Sequence, residues 1–316
     1  MARILVLGAG AVGGYFGGRL AENGHDVTFL VRQNRQAQLE RDGLLIESPS
    51  GQAKLKVRAM TQDQLKEFYD FVFLTPKAYD LDSAIESIRP ACGADTVIFP
   101  ILNGMAHMER LNAVFGRNQV MAGCVVIQAT LGADGVVHHL NSDALGFFGA
   151  QDGGVDGRAS SFANLFEGAK GLKVRAVDNA MQRMWDKWVR LATLAGMTCL
   201  MRANVGEITR VQGGEAQMME CLRCNNLVAT AEGYPLDLEK IDETKTFLVN
   251  PHSKTTASML RDIESGKPTE GDQILGDMVQ KAVKYGLNHP ILELAYTHVK
   301  AYEERRSTRE NAGQSH

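Results

Sequence analysis

The sequence has few cysteines, little net charge and no long apolar segment. Its five cysteines are scattered and odd in number, which argues against a disulfide framework and favours a reducing, cytoplasmic location. Lysine plus arginine total 34 and aspartate plus glutamate total 37, for a net charge of −3. Neither half has the basic excess expected of a partner of nucleic acid or of an anionic membrane. No apolar run approaches the roughly 20 residues needed to span a bilayer.

A metal site is not expected either. Cys221 and Cys224 form a single CxxC pair inside a helical pattern, with no second pair and no histidine at zinc spacing. His138 and His139 lie in a strand pattern with no third ligand apparent. We interpret both pairs as structural.

The order of the periodic segments indicates two domains. The chain has 316 residues, of which 44% are hydrophobic, and roughly 150 residues per domain is typical. Short apolar runs alternate with helical patterns up to residue 178, and from residue 179 the pattern is almost entirely helical. We therefore predict an α/β domain over 1–178 and a helical domain over 179–316. The predicted helices of the second domain span 180–201, 214–232, 251–264, 270–285 and 291–306.

A glycine motif follows the first predicted strand. Gly8, Gly10 and Gly13 form a GxGxxG pattern that closes an apolar strand and opens a helix, with Ala11 and Val12 inside it. In that context the glycines allow a tight turn, a close approach to a pyrophosphate, and close helix–strand packing. The helix N-terminus favours the phosphate charge. We predict a dinucleotide site here; a glycine-rich turn without a ligand is the alternative.

The end of the second predicted strand suggests which dinucleotide binds. A site that prefers NAD usually carries an acidic residue there, to accept from the ribose 2′-hydroxyl. Here Arg32 follows the strand and the next acid is Glu40, beyond the turn. A guanidinium offers a fork of donors to a 2′-phosphate, so Arg32, helped by Arg35, favours NADPH. The alternative is that Arg32 is a solvated loop residue.

Polar side chains also follow the next two buried strands. Lys77 comes after one and Asn103 after the other. Ligands of open α/β sheets bind outside the carboxyl ends of the strands, so we expect both residues to line one crevice. Taken alone, either is equally consistent with an ordinary loop position.

The helical half places one lysine between the two tryptophans of the chain. Trp185 and Trp188 share a helix face, and Lys187 lies at the edge of that apolar face. A partly desolvated lysine suits proton transfer near neutral pH, but position alone favours a snorkelling lysine on an amphipathic helix. Glu270 follows Thr269, a plausible N-cap, so it has a purely structural explanation at this level.

With these motifs in order, the sequence resembles the ketopantoate reductase (2-dehydropantoate 2-reductase) family over nearly the whole chain. The segments that carry the resemblance are GAGAVGGYFGGRLAENGHDVTFLVR, LTPKAYD, PILNGM, MWDKW and SMLRDIESGKPTEGD. The resemblance implies a Rossmann-type, doubly wound, mostly parallel sheet followed by an all-helical domain of the 6-phosphogluconate dehydrogenase type. It also implies NADPH-dependent reduction of a 2-keto acid to a 2-hydroxy acid, in that family ketopantoate to pantoate in pantothenate biosynthesis.

The resemblance also implies roles for particular residues. Lys187 matches the catalytic lysine that protonates the developing alkoxide, and Glu270 matches the acid that holds this lysine and a substrate hydroxyl. Ser258 matches a contact to the substrate carboxylate. Lys77 and Asn103 match residues beside the nicotinamide, and Asn103 also counts among the substrate-binding residues.

One departure from the family pattern bears on the substrate. The family has asparagines four and eight residues after the catalytic lysine, where this chain has Leu191 and Ala195. Both positions share a helix face with Lys187, so we expect both side chains to border the substrate, in a cleft between the domains. Two alternative functions remain open: a paralogous reductase of a less polar carbonyl compound, and a non-catalytic NADPH-binding regulatory protein. A homodimer also remains open.

Overall fold

A computed structural model describes residues 1–142, 144–154 and 156–313. The chain divides into two compact units, the first holding Met1–Leu102 and His107–Met184 and the second Asn103–Ala106 and the residues from Trp185 onward. The sequence predicts the boundary six residues earlier, after 178. The residues between belong with the first unit because they pack there: the backbone amide of Gly123 lies 3.2 Å from Met184 Sδ.

The first unit alternates strands and helices over most of its length. In chain order its elements are β1 (Arg3–Leu7), α1 (Ala11–Glu22), β2 (Asp26–Leu30), α2 (Gln33–Asp42), β3 (Leu44–Glu47), β4 (Ala53–Leu55), β5 (Arg58–Met60), β6 (Phe71–Leu74), α3 (Leu81–Ile88), β7 (Val97–Pro100), α4 (Ala106–Phe115), β8 (Ala122–Val126), β9 (Ala129–Leu131), β10 (Val137–His139), β11 (Ala144–Gly149), α5 (Gly157–Asn164), β12 (Leu172–Ala176) and the first residues of α6 (Ala180–Met201).

The central sheet is parallel throughout and runs in the order β5-β2-β1-β6-β7. Its strands are short and almost wholly apolar because helices or loops cover both faces, which is what a parallel sheet requires. Ile4 of β1 is paired with Val27 of β2 on one side and with Phe71 of β6 on the other. The predicted fold class, a mostly parallel α/β sheet followed by a helical region, is confirmed.

Two smaller sheets complete the first unit, in the orders β4-β3-β10-β9 and β12-β11-β8. β3 pairs antiparallel with β4, the strand that follows it. The sequence analysis did not foresee β12 or α5. Phe162 of α5 stacks on Phe99 of β7, with ring centroids 3.8 Å apart, so α5 forms largely because it covers the core.

The second unit is helical. Its elements are the remainder of α6, α7 (Val205–Arg210), α8 (Gly214–Ala231), α9 (Leu238–Leu248), α10 (Ser258–Glu264), a π-helical segment (Asp272–Gly276), α11 (Asp277–Lys284) and α12 (Pro290–Gly313). Within the described residues, no helix combines the length and the apolar character needed to cross a membrane.

Two of the predicted helices differ from those observed. The helix predicted over 251–264 begins only at Ser258, because the segment before it runs along the start of α7. There Val205 donates its amide to Thr255 O and Gly206 donates to Ser253 O. Helix α9 was missed because its sequence is mostly polar, and α12 extends beyond the predicted end at 306.

Candidate active site

The glycine turn joins β1 to α1 and leaves no room for side chains at its centre. A Cβ atom on Gly13 would lie 2.1 Å from Gly8 O and 2.5 Å from Thr75 Oγ1. Thr75, which follows β6, donates its hydroxyl to Leu7 O over 2.8 Å and so fixes the turn to the sheet. The first turn of α1 has neither an acidic residue nor a side-chain cap at Gly10. Its amide groups are therefore suited to receive a phosphate.

A cavity of about 610 Å³ opens in front of this turn, at the carboxyl ends of β1, β2, β5 and β6. Ligands bind at this edge in open α/β sheets, and the volume is typical of small-molecule sites, which run from roughly 300 to 1,000 Å³. Its lining includes Gly8, Ala9, Gly10, Arg32, Gln33, Thr61, Gln62, Asp63, Pro76, Asp80 and Ser83. Of the proposed cofactor residues, Gly8, Gly10 and Arg32 thus border one cavity.

Arg32 extends its side chain into solvent beside this cavity. The side chain is 86% exposed, and its guanidinium forms an ion pair with Asp80, with Nη2 3.3 Å from Oδ2. Asp80 was missed in the sequence analysis because it follows β6, about 50 residues away from Arg32. An ion pair this exposed contributes only about 0–1 kcal/mol, so an incoming anion can displace the carboxylate.

Arg35 lines the same cavity as Arg32, but its guanidinium already has backbone partners. Its Nε and Nη2 donate to Ala9 O over 3.1 and 2.8 Å, and its Nη1 donates to Gly135 O over 3.1 Å. The guanidinium is therefore used to hold the glycine turn. The expectation that Arg35 offers a second guanidinium to a 2′-phosphate stays a prediction, because in this structure its donors serve backbone carbonyls.

Lys77 and Asn103, expected in one crevice, fall into different units. Lys77 is exposed at the carboxyl end of β6, next to the cavity residue Pro76, and belongs to the first unit. Asn103 follows β7 but groups with the second unit. Its contacts there explain why.

In the second unit, Asn103 links Lys187 to Glu270. Lys187 Nζ donates to Asn103 Oδ1 over 3.1 Å, and Asn103 Nδ2 donates to Glu270 Oε2 over 3.3 Å. The amide can take only this orientation, because an ammonium has no acceptor and an ionised carboxylate has no donor. Glu270 is 4% exposed and Lys187 is half-buried. The arrangement places a cation and an anion on the two ends of one amide group.

A π-helical segment positions this cluster. Trp188 Nε1 donates to Ile274 O over 3.0 Å. Because Trp188 follows Lys187 on α6 and Ile274 lies in the π-helical segment just after Glu270, this bond holds the two parts of the cluster together. Trp185 packs against Trp188 with centroids 4.9 Å apart. Segments of this kind often occur at functional sites. The two tryptophans thus do share a buried face, and they orient the lysine between them.

Gly104 lets the Asn103 loop approach the same segment. Its φ angle is +79°, and a Cβ atom here would lie 2.4 Å from Gln273 O. Glycine is therefore required twice over, for the left-handed backbone and for the close contact. Thr269 Oγ1 accepts from the amide of Gly271 over 3.2 Å, the contact that an N-cap residue makes with the amide two positions on.

The remaining expected substrate residues differ in their exposure. Ser258 and Leu191 are half-buried, whereas Ala195 has no exposed surface. The second half of α6 lies against α12: a Cβ atom on Gly196 would meet Leu292 Cδ1 at 2.9 Å. Ala195 is thus a core residue, and its side chain has no exposed surface with which to contact a substrate.

Thiol chemistry has no support in this chain. Burial raises the pKa of Cys92, Cys199 and Cys221 to about 12. Because the thiolate is the nucleophilic form, these cysteines are inert at neutral pH. Among the described residues, no group of three histidine, cysteine, aspartate or glutamate side chains is arranged to hold a metal ion.

Comparison with known proteins agrees with the fold. The family model described as ketopantoate reductase PanE/ApbA matches residues 4–150, and that of the ketopantoate reductase PanE/ApbA C terminal matches residues 179–303. A Bacillus subtilis protein named uncharacterized oxidoreductase YkpB is 35% identical over 301 residues, covering 95% of this chain and 99% of that protein.

Two relatives carry a more specific name. The 2-dehydropantoate 2-reductase of Archaeoglobus fulgidus is 29% identical over 294 residues, covering 90% of this chain and 92% of that protein. The solved structure of 2-dehydropantoate 2-reductase from Methylococcus capsulatus superposes with a TM-score of 0.86 at 28% identity, covering 96% of this chain and 98% of the other.

Proposed function

The chain belongs to the ketopantoate reductase family and is an oxidoreductase with a nicotinamide cofactor, and we propose that it reduces a 2-keto acid to a 2-hydroxy acid with NADPH. The observation that carries the proposal is the hydrogen-bonded series Lys187–Asn103–Glu270. It supplies a positioned proton donor of the kind that carbonyl reduction needs.

The cofactor cavity of the first unit supports the cofactor half of the proposal. Bound NADPH would supply the hydride and leave as NADP⁺. The N-terminus of α1, with Gly10, Ala11 and Val12, would hold its pyrophosphate, and Arg32 its 2′-phosphate. We therefore propose NADPH rather than NADH. Lys77 is proposed to lie beside the nicotinamide.

Lys187 performs the proton-transfer half. As hydride reaches the carbonyl carbon, the π electrons of the C=O bond move to oxygen, which becomes negative. The ammonium of Lys187 stabilises that charge and gives its proton to the oxygen, forming the hydroxyl. The neutral amine then takes a proton from solvent. Asn103 holds the ammonium in position, and Glu270 keeps a negative charge at the other end of the amide.

The identity of the keto acid depends on Leu191. A site that offers hydrogen bonds can discriminate by roughly 10⁴-fold against molecules lacking the matching group. Leu191 offers none, so one polar group of ketopantoate would stay unpaired at a cost of about 1–3 kcal/mol. We propose a keto acid with an apolar tail, bound through its carboxylate by Ser258. Ketopantoate itself, and hence a place in pantothenate biosynthesis, is the second candidate, favoured by the names of the relatives.

A keto-acid panel followed by NADPH absorbance tests the proposal. We expect turnover of phenylpyruvate or ketoleucine to exceed that of ketopantoate, and Leu191→Asn to shift the ranking toward ketopantoate. Leu227→Asn, on the half-exposed face of α8, is the matched control. Ala195 is left unchanged because an asparagine would overpack a fully buried site.

Three outcomes decide between the candidates. Ketopantoate turnover with kcat/KM near or above about 10⁴ M⁻¹s⁻¹, a value ordinary for enzymes, would restore ketopantoate as the substrate. An unchanged ranking in Leu191→Asn would remove that residue from recognition. Binding of NADPH without oxidation by any keto acid would favour the non-catalytic regulatory protein.

A further inference from the structure

The second unit contains a cavity that the proposed reaction does not use. It has a volume of about 580 Å³ and is lined mainly by basic and aromatic side chains: Arg202, His298, Tyr302, Arg305, Arg306 and Arg309. No carboxylate belongs to the described lining. Basic groups converging on a concave surface make a potential anion site.

The helical repeat of α12 brings most of these groups together. His298, Tyr302, Arg305 and Arg309 are spaced by four, three and four residues, so they occupy one face of the helix. Like charges at such spacing destabilise a helix by a few tenths of a kcal/mol per pair. Arg202, at the end of α6, adds a further positive charge from another element. The cavity thus gathers positive charge from two elements.

Three of the four arginines of this cavity have no carboxylate partner among the side chains that the structure describes. No carboxylate whose side chain the structure describes forms an ion pair with Arg202, Arg305 or Arg309. Glu303, also on α12, is paired with Lys300 at 2.9 Å instead. Burial first, and then the charges of Arg202 and Arg305, lower the pKa of His298. The carboxylate of Asp262 lies close enough to Tyr302 to influence the pKa of its hydroxyl, but Asp262 does not line the cavity.

Arg202 has an unusual backbone conformation for an arginine. Its φ angle is +54°, the one positive φ among the described non-glycine residues. It follows the last residue of α6, where Ala203 donates its amide to Thr198 O over 3.3 Å, the helix ending in which glycine is preferred. The left-handed conformation costs an L-residue about 1–2 kcal/mol. An arginine here makes physical sense if its guanidinium has a use in the cavity.

We propose that this cavity binds a small phosphorylated molecule carrying at least two negative charges. Guanidinium groups pair with phosphate oxygens in a bidentate manner, and the volume falls in the range of about 300–1,000 Å³ typical of small-molecule sites. The site is separate from the reaction centre. Lys187 and Arg202 are 15 positions apart on and just after α6, which at a rise of 1.5 Å per residue is about 20 Å.

Calorimetric titration of the full chain with inorganic pyrophosphate at low salt tests the proposal. We expect Arg202→Gly and Arg305→Gln each to weaken binding about tenfold, the effect of losing one charge-assisted hydrogen bond. Arg202→Gly should also melt at the same temperature as the unmodified protein or higher when no anion is present, because glycine relieves the backbone. This second readout separates loss of binding from loss of folding.

Two controls and a competing anion complete the design. Arg223→Gln removes an exposed arginine of the same unit that is paired with Glu220, and should leave binding unchanged. If pyrophosphate binds in the cofactor cavity instead, Arg32→Gln should weaken its binding. The proposal is overturned if binding is absent, if Arg202→Gly and Arg305→Gln bind normally, or if only Arg32→Gln binds weakly. Equal affinity for citrate would overturn the assignment to phosphorylated ligands.

Discussion

Asn103 determines how Lys187 and Glu270 act together. Its amide group contacts both, so neither the lysine nor the glutamate is positioned by its own segment alone. The amide oxygen accepts from the lysine and the amide nitrogen donates to the glutamate. At the residue scale, the site therefore rests on a cation, an amide and an anion in series.

Lys187→Ala is expected to lower kcat by about 10² to 10⁴, the usual contribution of a general acid. Cofactor binding should be retained, because the cavity that contains the glycine turn belongs to the first unit. Single-turnover kinetics with each keto acid, alongside NADPH titration by fluorescence, measures both. Lys245→Ala, an exposed lysine of α9, is the control. Near-normal turnover in Lys187→Ala would show that another group donates the proton.

Arg32→Gln is expected to reduce the preference for NADPH over NADH by about tenfold to a hundredfold, the value of a charge-assisted hydrogen bond of 1.5–3 kcal/mol. Calorimetry with both cofactors measures the ratio. Arg41→Gln, on α2 and paired with Asp42, removes an equal charge outside the cavity. If wild type binds both cofactors equally, or if the two variants behave alike, the assignment of Arg32 is wrong.

At the element scale, the π-helical segment is the part that organises the site. It accepts the indole of Trp188 from α6 and lies against Gly104 of the loop after β7. A helix and a loop that are distant in sequence thus meet on one short segment. A change that pushes the loop away should disturb catalysis without touching a catalytic side chain.

Gly104→Ala tests this role, with Gly116→Ala as its matched control. Both glycines have φ angles near +80°, at +79° and +83°, but only Gly104 has a neighbour within 4 Å of the added Cβ atom. Each change should cost about 1–2 kcal/mol for the left-handed backbone. Only Gly104→Ala should also lose activity, because Asn103 must move. Urea unfolding and kcat are the measurements, and equal activity in the two variants contradicts the model of the loop.

At the scale of the whole molecule, a buried histidine couples stability to pH. His289 is 1% exposed, and its Nε2 lies 2.8 Å from Asn225 Oδ1 of α8. Burial lowers the pKa of His289 to about 4 from the usual 6.5. The unfolded chain therefore binds the proton more readily between these values, and stability is present above pH 6.5 and falls as the pH drops toward 4.

The expected loss over that window is roughly 3 kcal/mol at most. Tryptophan fluorescence during urea unfolding follows it well, because Trp185 and Trp188 both lie in the second unit. His289→Gln should be less dependent on pH between 6.5 and 4 than the unmodified protein. His252→Gln, an exposed position, should keep the original dependence. Identical slopes in all three proteins would remove His289 as the cause.

The sequence alone determined the features that local chemistry specifies. The strand–glycine turn–helix unit, the apolar runs of the strands and the shared face of the two tryptophans all depend on residues close to one another in the chain. Periodicity and steric limits act at that range, so they can be read directly. The same local reasoning failed for α9 and α5, because a polar helix and a core-covering helix form through the contacts that they make elsewhere.

Only the tertiary structure decided which distant side chains meet. Asn103 and Glu270 are 167 positions apart, and no local pattern records that they share a hydrogen bond. Packing also decided that Arg35 serves the backbone of the glycine turn and that Ala195 is buried, although helical spacing placed it beside the substrate. The physical reason is that spacing fixes the direction of a side chain on its own element, whereas the neighbour it meets depends on how elements far apart in the chain pack together.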